Sequence, residues 1–195
     1  MLLSKLKNYR IFLVSKSPRR AALLTDMDIP FEVMTADVDE SYDPMLPPEQ
    51  VAEYLSQIKL TGIDRSRYPE NTIFITCDTI VVTDSEILGK PKDAAEAVRM
   101  LQTLSGREHR VITGVTVATP SQQLTSHRVT KVHFDTLLPE EIDYYVKQYK
   151  PTDKAGAYGV QEWIGCVGIT AIEGSFYNVM GLPTKLLWDM LKQMI

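Results

Sequence analysis

Apolar and polar positions along this chain follow two rhythms, one proper to strands and one to helices. Ile11, Phe12, Leu13 and Val14 form a short continuous apolar run, as a buried strand does. Phe31 to Met34 makes a second, shorter strand. Asn71 to Thr83 is the strongest one, with Ile73, Phe74, Ile75, Ile80, Val81 and Val82. A turn at Asp84-Ser85 precedes a short return strand, Glu86-Ile87-Leu88. Glu108 to Thr119 and Gln123 to Leu137 read as two long strands joined by the turn Pro120-Ser121-Gln122, an antiparallel hairpin. Elsewhere the apolar spacing is helical. Pro18 opens a helix through Leu23 and Leu24, stopped at Met27-Asp28-Ile29-Pro30. Pro47-Pro48-Glu49 opens another, to Leu60, with Val51, Ala52 and Leu55 on one face. Asp93 to Leu104, Pro139 to Gln148 and Thr184 to Met194 complete the set. The order of elements predicts an α/β fold with a mixed β-sheet flanked by helices, not a strict βαβ alternation.

Polar residues that interrupt these patterns carry the candidate chemistry. After the first strand come Ser15, Lys16, Ser17, Pro18, Arg19 and Arg20. Ser17 fits a helix N-cap and Pro18 the first helical position. A strand running into a helix N-terminus, with two hydroxyls and two guanidinium groups beside it, suits an anion such as phosphate. A capped helix with two solvated arginines accounts for the same residues. Asp37, Asp39 and Glu40 form either a solvated acidic loop or a site for a hard cation. Lys59, near a helix C-terminus, is a dipole-compensating lysine or a phosphate ligand. Asp78 stands out because it breaks the most apolar strand, where a carboxylate is costly unless paired or bound to a cation. A bulge that turns it outward is the structural alternative. Gly89-Lys90-Pro91 lacks the glycine spacing of a P-loop, which excludes an ATPase of that type. Asp153 to Gln161 holds small residues and glycines that permit close backbone approach to a ligand. Gln161 offers both a donor and an acceptor, as a base edge requires. In Gly174 to Pro183 a short helix packs Phe176 and Val179, with the place of Asn178 open.

Composition narrows the field. With 195 residues, 44% hydrophobic and 24% charged, the chain is long enough for one sizeable core or two small lobes. A net charge of −4 argues against a general nucleic-acid or membrane binder, so the basic cluster at Lys16, Arg19 and Arg20 suits a small anion. Cys77 and Cys166 follow no metal or redox spacing and are expected to be small core residues in a reducing, cytoplasmic setting. His109, His127 and His133 are scattered and make no metal constellation. No apolar run approaches the roughly 20 residues that span a bilayer.

The ordered set of segments resembles the Maf family of nucleoside triphosphate pyrophosphatases. The resemblance begins at Ser15-Lys16-Ser17-Pro18-Arg19-Arg20. It continues through Asp39-Glu40, Lys59, Asp78-Thr79, Gly89-Lys90-Pro91, Leu104-Ser105-Gly106, Asp153 to Gly159 and Asn178 to Pro183. At Arg19, Thr79 and Gln161 the chain is most similar to the branch acting on dTTP and UTP, not the one acting on 7-methyl-GTP. The resemblance implies a Maf/ITPase-like fold over residues 1–195, two lobes around a central cleft, in a homodimer. The implied reaction is hydrolysis between the α- and β-phosphates with Mg²⁺ or Mn²⁺, giving the monophosphate and pyrophosphate. Asp78 would be the proton acceptor. Asp39 and Asp78 would hold the metal, and Ser15, Ser17, Arg19, Arg20, Lys59, Thr79, Lys90 and Gln161 the nucleotide. The alternatives are a nucleotide-binding regulator of cell division or septum formation without significant turnover, and a pyrophosphatase preferring another nucleotide such as 7-methyl-GTP.

Four places depart from the family pattern. Lys16 adds a charge inside the first motif, Cys77 replaces an alanine, Glu162-Trp163-Ile164-Gly165 replaces a glycine-rich turn, and Ser175 replaces an aspartate. Lys16 is expected to tighten phosphate binding.

Overall fold

The computed structural model describes residues 1–84 and 86–195, so Ser85 of the expected Asp84-Ser85 turn lies outside the described residues. In chain order the elements are α1 (Leu2–Leu6), β1 (Arg10–Val14), α2 (Pro18–Asp26), β2 (Glu32–Met34), α3 (Pro48–Ile58), β3 (Thr72–Val82), β4 (Ile87–Leu88), α4 (Ala94–Leu104), β5 (Glu108–Ala118), β6 (Gln123–Phe134), α5 (Pro139–Tyr149), α6 (Trp163–Gly168), β7 (Ile169–Glu173), α7 (Phe176–Met180) and α8 (Thr184–Met194). Among the described residues the strands make one seven-stranded sheet of order β2-β1-β3-β5-β6-β7, with β4 paired to β3. β1 runs parallel to β2 and β3, while β4 is antiparallel to β3 and β7 to β6. The sheet is mixed, as the element order requires. The expected hairpin forms, with the Thr119 N–H donating to Gln122 O at 2.9 Å.

The chain divides into two compact units, Met1–Asp78 with Thr113–Arg128 and Gly181–Ile195, and Thr79–Ile112 with Val129–Met180. In the first, Phe12, Phe74 and Tyr68 pack ring against ring at 5.1–5.6 Å, beside Val14 and Leu60. Helix α3 lies almost on the backbone of β5. A Cβ added to Gly114 would stand 2.0 Å from the Ala52 carbonyl oxygen, so only glycine permits the approach. The buried polar groups in this interface are paired, as burial demands. Ser56 and Thr116 share a hydrogen bond of 2.8 Å, and the Thr76 hydroxyl donates to Ser56 O at 2.6 Å.

In the second unit α4 and α5 cover a core of Leu101, Leu104, Phe134, Tyr145, Tyr158 and Ile164. The Gly156 N–H donates to Gly89 O at 3.0 Å. Gly156 has φ +68° and Ala157 φ +59°, two successive left-handed residues inside the small-residue stretch.

Three details differ from the sequence expectations. Helices α1 and α6 and strand β7 were not anticipated. Cys166 is exposed on α6, while Cys77 is buried. Phe176 is 42% exposed, and the residue of α7 that enters the core is Asn178, whose amide donates to Val111 O and Thr130 Oγ1 at 3.0 Å each. A five-residue helix buries a narrow strip, and here its inward position falls on the asparagine. Ser175 stands just before this helix, its hydroxyl accepting the Asn178 N–H at 3.3 Å.

Candidate active site

Strand β3 continues through Asp78, which with Thr79 is half-buried where the rest of the strand is buried. The Asp78 carboxylate is paired. The Lys59 ammonium donates to Asp78 Oδ1, and both side chains are only 15% exposed. Lys59 is the C-cap of α3, where the helix dipole favours a cation. The close packing at Gly114 sets the height of α3 on the sheet, and so the place where Lys59 meets β3. The same ammonium donates to Cys77 O at 3.2 Å and lies 3.5 Å from Glu40 Oε1.

The first sequence motif reaches the same spot. Arg20 Nε donates to Gly181 O and Arg20 Nη1 to Cys77 O, each at 2.8 Å, and Nη1 lies 3.4 Å from Ser15 Oγ. The Cys77 carbonyl thus accepts from both Arg20 and Lys59. Burial pushes the Cys77 thiol up to about 11, which removes it as a nucleophile. Ser17 is the N-cap of α2, but its side chain makes no capping bond; its N–H donates to Ser15 Oγ at 3.1 Å. Pro18 occupies the first turn as expected. Arg19, half-buried, follows it.

The acidic loop sorts itself differently from its spelling. Glu40, not Asp39, approaches Lys59. Asp39 is exposed and accepts from the Ser41 N–H and hydroxyl at 2.9 Å each, which hold its carboxyl below the usual range. Lys16 spends its charge on Asp37 at 2.8 Å, so the extra cation of the first motif is directed to that carboxylate.

Three further candidates belong to the second unit. Thr79 is half-buried on β3, Lys90 is exposed after β4, and Gln161 is exposed on a turn. This unit also gathers groups that sequence spacing did not reveal. Glu108, His133 and Glu173 bring ligand atoms within 4.8 Å of one another. Their contacts are mutual: His133 Nε2 is 3.0 Å from Glu173 and 3.5 Å from Glu108, which Lys131 meets at 3.1 Å. Residues on three adjacent strands form this cluster, and only strand pairing could have exposed it. His109 is buried apart from it, 2.8 Å from the Tyr158 hydroxyl, and burial depresses its pKa to about 4.

A half-buried carboxylate–ammonium pair, next to an arginine of α2 that bonds β3 at Cys77 and the loop at Gly181, sits on a mixed sheet flanked by helices. The chain matches the family model described as Maf-like protein over residues 10–194, and it belongs to that family. It is 48% identical over 193 residues to a protein of Porphyromonas gingivalis named dTTP/UTP pyrophosphatase, covering 98% of this chain and 97% of that one. A protein of the same name from Christiangramia forsetii is 45% identical over 195 residues, 100% of this chain and 99% of the relative. One from Bacteroides thetaiotaomicron is 46% identical over 194 residues, 99% and 100% of the two. Among solved structures, the Ham1 protein of Staphylococcus aureus overlaps 64% of this chain and 71% of its own, with TM-score 0.47 and 12% identity. No helix among the described residues is long and apolar enough to cross a membrane.

Proposed function

We propose that this chain is a nucleoside triphosphate pyrophosphatase that hydrolyses dTTP and UTP to the monophosphate and pyrophosphate. The observation that carries the proposal is its near-full-length identity with proteins named for that reaction. The half-buried Asp78–Lys59 pair supports it chemically.

A nucleoside triphosphate brings about four negative charges, which repel an attacking oxygen until cations offset them. Arg19, Arg20, Lys59 and Lys90 supply that charge, and Ser15 and Ser17 donate hydroxyl hydrogen bonds. Lys59 has three N–H donors, and three acceptors surround it: Cys77 O, Asp78 and Glu40. Glu40 is the exposed one and the longest contact, so it is the partner a phosphate oxygen replaces. Asp78 then takes the proton of the attacking water as general base. Thr79 and Gln161 face the choice of base, and Gln161 can pair with a pyrimidine edge through both its donor and its acceptor.

The donor set suits a divalent cation, because Asp78 and Glu40 already converge on one positive charge and carboxylate oxygens are what Mg²⁺ and Mn²⁺ take. Asp78 and Glu40 would hold it, with Asp39 joining them only by releasing Ser41, and when bound it would supply charge neutralisation at the phosphates. Our proposal includes a single catalytic domain over 1–195, a cytoplasmic location and a homodimer.

The test is a nucleotide panel of dTTP, UTP, CTP, GTP, ATP and 7-methyl-GTP with Mg²⁺ and with Mn²⁺, products separated by ion chromatography. Pyrophosphate and monophosphate from dTTP and UTP are expected. Orthophosphate with a diphosphate product would overturn the bond assignment, and binding without turnover would move the weight to a regulatory role.

A further inference from the structure

The segment that carries Gln161 is fastened at both ends to one side chain. Residues 159–162 form a turn in which the Glu162 N–H donates to Gly159 O at 3.0 Å, leaving Val160 and Gln161 at its centre. Tyr145 of α5 is fully buried, and its hydroxyl makes two bonds to this turn. It accepts the Gly159 N–H at 3.0 Å and donates to Glu162 Oε2 in a short contact. The first residue of the turn and the last are therefore held by a single oxygen.

The far side of Glu162 is held as firmly. Glu162 Oε1 lies 3.1 Å from the Lys154 ammonium, which is 8% exposed and also meets Asp153 at 2.8 Å. The Glu162 carboxylate lies against the turn itself, so a Cβ on Gly159 would come 2.7 Å from its Cδ. Burial and the bond to Glu162 push the Tyr145 hydroxyl above its ordinary range, so it stays a donor across the whole working pH. Gln161, by contrast, is exposed. An exposed side chain on a rigid, buried mount is what a recognition group needs, since ordering it on binding then costs little entropy. Glu162 is also one of the positions where the chain departs from the family pattern, and here it has a definite partner set.

We infer that Tyr145, acting through Glu162 and Lys154, is a positioning residue that fixes Gln161 for base discrimination. This rests on the proposal that the substrate is a pyrimidine nucleotide and that Gln161 meets its base. Tyr145 touches no substrate; its effect falls on affinity and selectivity, not on the chemical step.

The experiment compares Tyr145→Phe, Glu162→Gln, Glu162→Ala and Gln161→Ala with the unaltered protein, measuring kcat and KM for dTTP, UTP and CTP and the melting temperature of each. Tyr145→Phe keeps the ring and loses both bonds. Its KM for dTTP and UTP is expected to rise about tenfold, with kcat within about twofold and the preference over CTP narrowed by a similar factor. Glu162→Gln keeps an acceptor for Tyr145 and is expected to recover part of the selectivity that Glu162→Ala loses. A lowered melting temperature with KM and selectivity unchanged in Tyr145→Phe and both Glu162 variants would overturn the inference and leave these residues as packing. If Gln161→Ala retains full selectivity, the base-reading premise fails and the inference with it, while the pyrophosphatase proposal stands. If the unaltered protein hydrolyses neither dTTP nor UTP, both fall.

Discussion

Asp78 lies in the most apolar strand of the chain, and its carboxylate is paired there with Lys59. Removing the charge while keeping the shape separates chemistry from packing. Asp78→Asn is expected to lower kcat by about a hundred- to ten-thousand-fold, with a folded and nucleotide-binding protein. Lys59→Met leaves the carboxylate, 15% exposed, without its ammonium, so it is expected to lose stability as well as activity, readable as a shift in the urea midpoint. The two cysteines give a second check at this scale. Cys77 is buried with its thiol pushed up to about 11, and Cys166 is exposed. Titration with a thiol reagent at neutral pH should label Cys166 alone in the native protein and both residues in denaturant.

The elements most legible in the sequence were those whose apolar pattern is continuous. Strands β1 and β3 and helices α3, α4, α5 and α8 could be read from spacing, and so could the oddity of Asp78. Helix α6 and β7 escaped because Gly165 and Gly168 weaken one pattern and the other spans only five residues with no clean alternation. The partners of the site residues were legible in type but not in pairing. Asp39 and Glu40 are neighbours in the chain, yet one turns to Ser41 and the other to Lys59, and loop geometry alone decides which. Gly114 is invisible as a site residue in sequence, since its part is to let α3 settle against β5. Gly114→Ala forces a Cβ into the Ala52 carbonyl and must lift the helix. The expected loss is about 2–5 kcal/mol in chemical denaturation, with activity falling beyond what stability explains because Lys59 moves with the helix. Asp93→Ala, which removes the N-cap that accepts the Glu96 N–H at 2.8 Å, should cost about 1 kcal/mol and leave kinetics unchanged.

The stability of the molecule as a whole carries a pH dependence from His109. Burial depresses its folded pKa from 6.5 to about 4, with His133 adding to the effect and Glu108 opposing it. Between those values the unfolded chain binds a proton that the folded chain refuses, so stability rises with pH across this window and is lost as pH falls through it. Below about pH 4 both states are protonated and this group adds nothing further. The loss from pH 6.5 to 4 is expected to be about 3 kcal/mol, measured by urea unfolding at a series of pH values. His109→Gln, which can still pair with the Tyr158 hydroxyl, should remove that part of the slope.

The first compact unit is drawn from three separated stretches, the last of them Gly181–Ile195. Helix α8 in that stretch buries Leu187, Met190 and Leu191. Helix α8 therefore completes the same unit that holds Asp78, although it lies far from Asp78 in the chain. A chain cut before α8 would keep the motifs between Ser15 and Pro183 and lose the part of the core that Leu187, Met190 and Leu191 supply to the unit around Asp78.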